Sequence, residues 1–263
     1  MKLYLSGIKS YQLDLGIDCT AFSDPRLERT LHGIKRNHAE PERRIRTPLT
    51  RPLLLSILNQ LAIPNYDNAV LKAPFTLAFT GFLRVGEFTY RKADQELGLA
   101  FNNWFLTKSC VRFVNDRQDI KLTLPASKTD PIRHGVQLII SASHDEACPV
   151  RAMKQLMDID IHRPRLAPLF CIGHEDQLPF TREYVVQKLK ELAAKANLGL
   201  VGWNGHSFRR GAATWAAEVG IPDTQIQILG RWKSEAYKAY IDYSREERLS
   251  LSRRFQQVHR SHS

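Results

Sequence analysis

The sequence predicts an α+β protein, mostly helical, with one small three-stranded antiparallel sheet and a short helical piece in front. Three observations predict it. Apolar residues recur at helical spacing in most segments after residue 50. Between residues 110 and 143 the period falls to two, in three short runs parted by polar turns. The stretch "RNHAEPERRIRTPLT", residues 36–50, is charged, holds Pro41 and Pro48 and has no apolar periodicity, so it reads as a linker.

Taken in order, residues 1–35 carry helix-like spacing in "RLERTLHGIKR", a piece small for a core of its own. After the linker, Thr50 is placed to cap a helix through "RPLLLSILNQL", with Pro52 tolerated in its first turn. One helix is expected through "NAVLKAPFTLAFTGFLRVGEF". The runs "CVRFV", "IKLTLPAS" and "GVQLIISAS" form the sheet. Helical spacing returns in "PVRAMKQLMDI", "TREYVVQKLKELAAKAN", "HSFRRGAATWAAEV", "TQIQIL" and "SEAYKAYIDY". In "REERLSLSRRFQQVHR", Leu251, Phe255 and Val258 fall at i, i+4 and i+7 and make an apolar stripe that needs burial.

Composition narrows the function. The chain has 263 residues, 38 Lys and Arg against 27 Asp and Glu, and a formal net charge of +11. A polyanion is the natural partner of such a balance. No apolar run reaches membrane-spanning length, and the amino-terminal stretch is too polar for a signal peptide, so the reading is a protein neither secreted nor membrane-embedded. Cys19, Cys110, Cys148 and Cys171 form no CxxC pair, and the histidines form no HExxH, so no metal site or disulfide framework is expected.

The chemistry-bearing residues concentrate in a few places. In "GHSFRRGAATWAAEVG", residues 205–220, Phe208, Ala212, Trp215 and Val219 make a core stripe, while His206 shares another face with Arg209 or Arg210. Spacing alone does not choose between the two arginines. Cations crowded on a helix start, where N–H groups point outward, suit a phosphate; the plain alternative is a solvated basic face. Arg84 in "GFLRVGEF" ends an apolar helix, and Glu87 is its available partner. Lys128 in "LPASKTDP" sits at a hairpin tip, where a lysine ordinarily serves solubility. Tyr237, Tyr240 and Tyr243 recur every third residue, as an aromatic packing stripe or as a source of a nucleophilic phenol. Arg43, Arg44 and Arg46 in the linker are either a solvated charge run or DNA backbone contacts.

In this order, Arg84, Lys128, "HSFR", "LGRW" and "AYI" resemble the tyrosine recombinase/integrase family over about residues 46–258. The wording "FLRVGEF", "SKTDP" and "GRW" most resembles the Crypton-like mobile-element recombinases of fungi. Residues 1–35 resemble the tail of the family's helical core-binding (SAM-like) domain. The implied organisation is a truncated core-binding remnant at 1–35, a basic linker at 36–49 and a catalytic domain at 50–263.

The resemblance implies an enzyme that breaks and rejoins double-stranded DNA through a 3′-phosphotyrosyl intermediate, with no metal, ATP or other cofactor. It implies that Arg84 and Arg209 grip the scissile phosphate, which selects Arg209 over Arg210. His206 would manage the phenol proton, Lys128 would act as general acid, and Tyr240 would be the nucleophile. Nine residues before Tyr240, where the family carries His or Trp, stands Arg231, with Trp232 beside it as the alternative occupant of that position; Arg231 is read as a phosphate ligand with Trp232 as its support, and Glu87 as supporting Arg84. A homo-oligomer, a tetramer on DNA, would assemble through the last helix, and the eukaryotic resemblance places the protein in the nucleus. The alternatives are a catalytically degenerate DNA-binding remnant and a topoisomerase-like relaxer.

Overall fold

The computed structural model describes residues 2–37, 46–63, 65–91, 104–125, 135–173, 178–199, 202–241, 249–250 and 252–253. The chain divides into two compact units, Met1–Ile45 and Arg46–Ser263.

In the first unit, α1 (Lys2–Asp14) and α2 (Pro25–Asn37) are joined through a 3-10 turn at Thr20–Ser23. Asp24 starts α2: its carboxylate accepts the Arg26 N–H at 2.7 Å, and Pro25 fills a first-turn position whose N–H has no partner to lose. Tyr4, Ile8, Tyr11 and Leu13 are exposed along α1.

The second unit is built around one buried helix. It comprises α3 (Arg51–Asn59), α4 (Tyr66–Thr80), α5 (Val85–Phe88), β1 (Val111–Val114), β2 (Asp119–Leu124), β3 (Val136–Ser141), α6 (Pro149–Ile159), β4 (Cys171–Ile172), β5 (Leu178–Pro179), α7 (Arg182–Lys195), α8 (Ser207–Glu218) and α9 (Asp223–Leu229), then a 3-10 turn at Glu235–Ala239. Residues 69–71 and 73–79 of α4 are all buried, so this helix is apolar on every side. It packs on α6 and α8. Phe75 of α4 meets Phe208 of α8 edge-on, with ring centroids 5.0 Å apart.

The strands are antiparallel in the order β1-β2-β3. Ile120, Leu122 and Leu124 face the core and alternate with half-buried residues, and Ile120 pairs with buried Ile140. The two-residue strands β4 and β5 make a second small sheet, which the sequence pattern does not signal.

Some expectations are corrected. The single helix expected over residues 68–88 is broken. It ends at Thr80, a tight turn carries Phe82 at φ 49°, and Arg84 becomes the N-cap of α5. Thr50 stands at the N-cap of α3, but its side chain makes no capping bond. Val219 leaves the predicted core stripe and is 52% exposed, because α8 stops at Glu218 and the chain turns there. Of the last predicted helix only residues 249–250 and 252–253 are described, and they are helical; Leu251, Phe255 and Val258 lie outside the described residues. No described helix is long and apolar enough to cross a membrane.

Gly211 fixes how α8 enters the core. A Cβ there would lie 1.8 Å from the Leu49 carbonyl oxygen. The two segments are that close because the Leu49 N–H donates to the Ser207 carbonyl at 2.9 Å. Gly211→Ala is expected to destabilise the protein by about 3 kcal/mol, since backbone has to move rather than a flexible side chain. A urea denaturation midpoint equal to the parent's would contradict this close approach.

Candidate active site

The tight turn after α4 frees two carbonyl groups, on Gly81 and Phe82. The turn after α9 frees another, on Gly230. Such helix-end oxygens carry partial negative charge and attract cations. Arg209, from the first turn of α8, donates Nη1 to the Phe82 carbonyl at 2.5 Å and Nη2 to the Gly230 carbonyl. Its guanidinium lies over the Trp232 ring, 4.1 Å from the centroid. Arg231 donates Nη1 to the Gly81 carbonyl at 2.8 Å and Nη2 to Glu87 Oε2 at 2.9 Å. Arg84 donates Nη1 to Glu87 Oε1 at 2.8 Å. Residues about 150 positions apart in sequence thus meet around the end of α4.

Tyr240 closes the site. Its hydroxyl lies 3.4 Å from His206 Nδ1, a long contact, and its ring packs on Trp232 with centroids 5.4 Å apart. The Arg209 guanidinium is 6.0 Å from that ring and the Arg210 guanidinium 5.5 Å. Thr214 holds the backbone here, donating Oγ1 to the Tyr240 carbonyl at 3.2 Å. Tyr237 turns inward instead; it is 4% exposed and its hydroxyl reaches Asp223 at 3.3 Å.

Charge balance distinguishes Arg209 from an ordinary buried arginine. Arg163 is also buried, but it has Asp160 as an ion-pair partner, which raises its pKa against the pull of desolvation. Arg209 is 1% exposed; among the described residues it bonds carbonyl groups only, and its buried Nε has no partner. Desolvation, then the charge of Arg84, pulls its pKa down to about 9. The nearby carboxylate, Glu87, is already shared by Arg84 and Arg231. Two guanidiniums on one carboxylate, with the third of Arg209 nearby, leave an unmatched positive field, and a bound anion would relieve it.

His206 stands at the N-cap of α8 and is exposed at its surface. Desolvation lowers its pKa below the usual 6.5, as do Arg182, Arg46, Arg210 and Arg209 in that order. Arg46 is brought here because the Thr47 N–H donates to the Gly202 carbonyl at 3.1 Å. Arg182, which sequence reasoning missed, lies beside Gly205, where a Cβ would come 3.4 Å from its Nε. Nothing in its local pattern distinguishes it from other surface arginines. A lowered pKa favours the neutral imidazole near pH 7, and in the tautomer that carries its proton on Nε2 the Nδ1 accepts the phenol O–H.

In an NMR titration of the free protein, His206 is expected to titrate below 6.5, and duplex DNA is expected to raise it. The folded state takes this proton later than the unfolded chain. The His206 contribution to stability is therefore lost as pH falls from 6.5 through the folded value. A midpoint at or above 6.5 without DNA would exclude the cation cluster as drawn.

Of the sequence candidates, the structure brings together Arg84, Glu87, His206, Arg209, Arg231, Trp232 and Tyr240, with Arg46 at the edge near His206. Arg231, expected as a phosphate ligand, gives its donors to Glu87 and to carbonyl groups. Lys128, Arg43, Arg44 and Tyr243 lie outside the described residues. Among the described residues no cluster of His, Cys, Asp and Glu is arranged to hold a metal ion.

No family model matches the chain. Over 121 residues it is 34% identical to an integrase/recombinase XerD homolog of Selenomonas ruminantium, an alignment covering 45% of this chain and 36% of that protein. The match thus spans about a third of the relative's length. The structure is similar to the crystal structure of XerA recombinase, with a TM-score of 0.55 and 15% identity over 100% of this chain and 76% of that one. It is similar to XerH site-specific recombinase in a post-cleavage complex with palindromic difH substrate, with a TM-score of 0.56 and 14% identity over 81% of this chain and 53% of that one. It also resembles a lambda integrase dimer bound to a COC′ core site, with a TM-score of 0.51 and 18% identity over 90% and 63% of the two chains. The mostly helical unit with a small three-stranded sheet has the fold of tyrosine recombinase catalytic domains.

Proposed function

We propose that this chain is a tyrosine recombinase that cleaves and rejoins DNA strands through a transient 3′-phosphotyrosyl bond on Tyr240. The observation that carries the reading is the meeting of Tyr240, His206 and an under-compensated Arg209 at one place beside the paired Arg84. Fold likeness to recombinases solved on DNA supports it.

In the proposed step the Tyr240 oxygen attacks phosphorus and its proton passes to His206 Nδ1. The bond from phosphorus to the 5′ oxygen breaks, and that oxygen takes a proton to leave as a hydroxyl. Lys128 supplies this proton on the family resemblance. Arg84 and Arg209 face the non-bridging oxygens, whose charge grows in the transition state; cations already fixed there need no reorganisation. The guanidinium fork suits this task better than an ammonium. A 5′-hydroxyl from another strand reverses the step. One phosphoester is exchanged for another, so the reaction needs neither ATP nor a metal.

On this reading the basic segment bearing Arg43, Arg44 and Arg46 contacts the DNA backbone, and residues 1–35 belong to a core-binding domain. Exchange between duplexes employs several subunits, a tetramer joined through the stripe of Leu251, Phe255 and Val258. The Crypton-like affinity and a nuclear location rest on the wording of the motifs.

The test is incubation with a pool of nicked duplexes of randomised sequence, in which a short strand diffuses away after cleavage and traps the intermediate. A covalent protein–DNA adduct is the expected product. Binding without any adduct would mark a DNA-binding remnant, and relaxation of supercoiled plasmid without joining of two sites would mark a topoisomerase.

A further inference from the structure

Four helices of the second unit end on the same turn. In each, an N–H reaches back five residues and the preceding N–H reaches back three. The pairs are Leu83 to Ala78 and Phe82 to Phe79 after α4, and Leu198 to Ala193 and Asn197 to Ala194 after α7. After α8 they are Ile221 to Ala216 and Gly220 to Ala217; after α9, Trp232 to Gln227 and Arg231 to Ile228. The turn needs one residue in the left-handed region, where a Cβ crowds the following carbonyl. The ends of α7 and α8 use Asn197 and Gly220, residues that tolerate it. The ends of α4 and α9 instead use Phe82 at φ 49° and Arg231 at φ 57°. These two strained ends are the ones that border the site, which points to a task for their side chains.

Phe82 packs edge-on against Trp232 with centroids 6.3 Å apart. Arg231 reaches across to α4 and α5. It donates to the Gly81 carbonyl at 2.8 Å, to the Phe82 carbonyl at 3.4 Å and to Glu87 Oε2 at 2.9 Å. The Glu87 side chain is only 4% exposed, and its carboxylate also accepts the Arg84 backbone N–H at 2.9 Å and Arg84 Nη1 at 2.8 Å. One buried carboxylate therefore ties Arg84 to the residue nine places before Tyr240. A phosphate at the Arg231 guanidinium would have to compete with that carboxylate.

We propose that Arg231 is a positioning residue rather than a phosphate ligand: its clamp on Glu87 and the end of α4 fixes the segment bearing Tyr240 against Arg84 of the same chain. This rests on the strand-cleavage reading above. Arg231 is placed to act through Tyr240 and Arg84 and not on the reacting phosphate.

The test uses Arg231→Gly, which keeps the left-handed turn and removes the guanidinium, with Arg231→Lys, Glu87→Gln and the double variant R231G/E87Q. Three measurements are made on the full chain. They are adduct rate and affinity on nicked duplexes of randomised sequence, adduct rate with an uncharged methylphosphonate at the cleaved position, and amide hydrogen exchange over residues 232–241. Arg231→Gly is expected to slow adduct formation about 100-fold through misplacement of the nucleophile, with duplex affinity within about twofold of the parent. Arg231→Lys is expected to recover part of the rate. The double variant is expected to match the slower single variant, because both changes break one unit. Exchange over 232–241 is expected to rise in Arg231→Gly.

Recovery of Arg231→Gly on the methylphosphonate would identify a phosphate ligand and overturn the proposal. Independent, additive losses would overturn it as well. If the parent forms no adduct at all, the strand-cleavage reading fails; hydrogen exchange still judges the clamp, and exchange equal to the parent's would overturn it.

Discussion

Tyr240→Phe is expected to abolish the covalent adduct on nicked duplex DNA while leaving duplex binding intact. Losing a nucleophile outright costs on the order of a millionfold in other enzymes, which puts the residual rate below detection. The fold has little reason to change, because the described contacts of the ring to Trp232 and the Arg209 guanidinium remain available to phenylalanine. The paired variant is Tyr237→Phe. The Tyr237 ring is buried and its hydroxyl is bonded to Asp223, so Tyr237→Phe is expected to lower stability slightly and to leave the adduct in place. The readout is a denaturing gel that resolves protein-linked DNA from free DNA. An adduct that survives in Tyr240→Phe and disappears in Tyr237→Phe would transfer the nucleophile to the other tyrosine.

Arg209→Lys is expected to slow adduct formation by about 100- to 1,000-fold, the range seen when one preorganised donor to a developing oxyanion is removed. A lysine keeps the charge but not the fork. It cannot reach the Phe82 and Gly230 carbonyls together while presenting a donor to phosphate. The rate should fall far more than the affinity for DNA, because the charge on the phosphoryl oxygens rises in the transition state and the ground-state attraction is spread over many cations. Single-turnover rates beside equilibrium binding separate the two effects. Equal losses in both would reduce Arg209 to a general DNA contact.

The local pattern of the chain carried much of this architecture. The helix predicted from "PVRAMKQLMDI" appears over the same residues, Pro149–Ile159, because an apolar stripe and a proline in the first turn are both local signals. Period-two alternation placed the three strands. The break after Thr80 was hidden for the opposite reason. Helix α4 is buried on every side, so apolar residues continue through the break without a change of period. Strands of two residues, as in β4 and β5, are too short to show a period at all.

The site divides in the same way. The family resemblance named Arg84, His206, Arg209 and Tyr240 as candidates, where spacing alone left Arg209 and Arg210 open. By itself the sequence determined most of the helices, the three-stranded sheet and the basic charge, because propensity, periodicity and charge are properties of neighbouring residues. Tertiary structure alone decided that Tyr240 meets His206 while Tyr237 turns to Asp223, that Arg209 is bonded by helix-end carbonyl groups, and that Glu87 serves both Arg84 and Arg231. Those outcomes depend on which helix-end carbonyls and charges come together from segments about 150 residues apart, and no local pattern encodes that meeting.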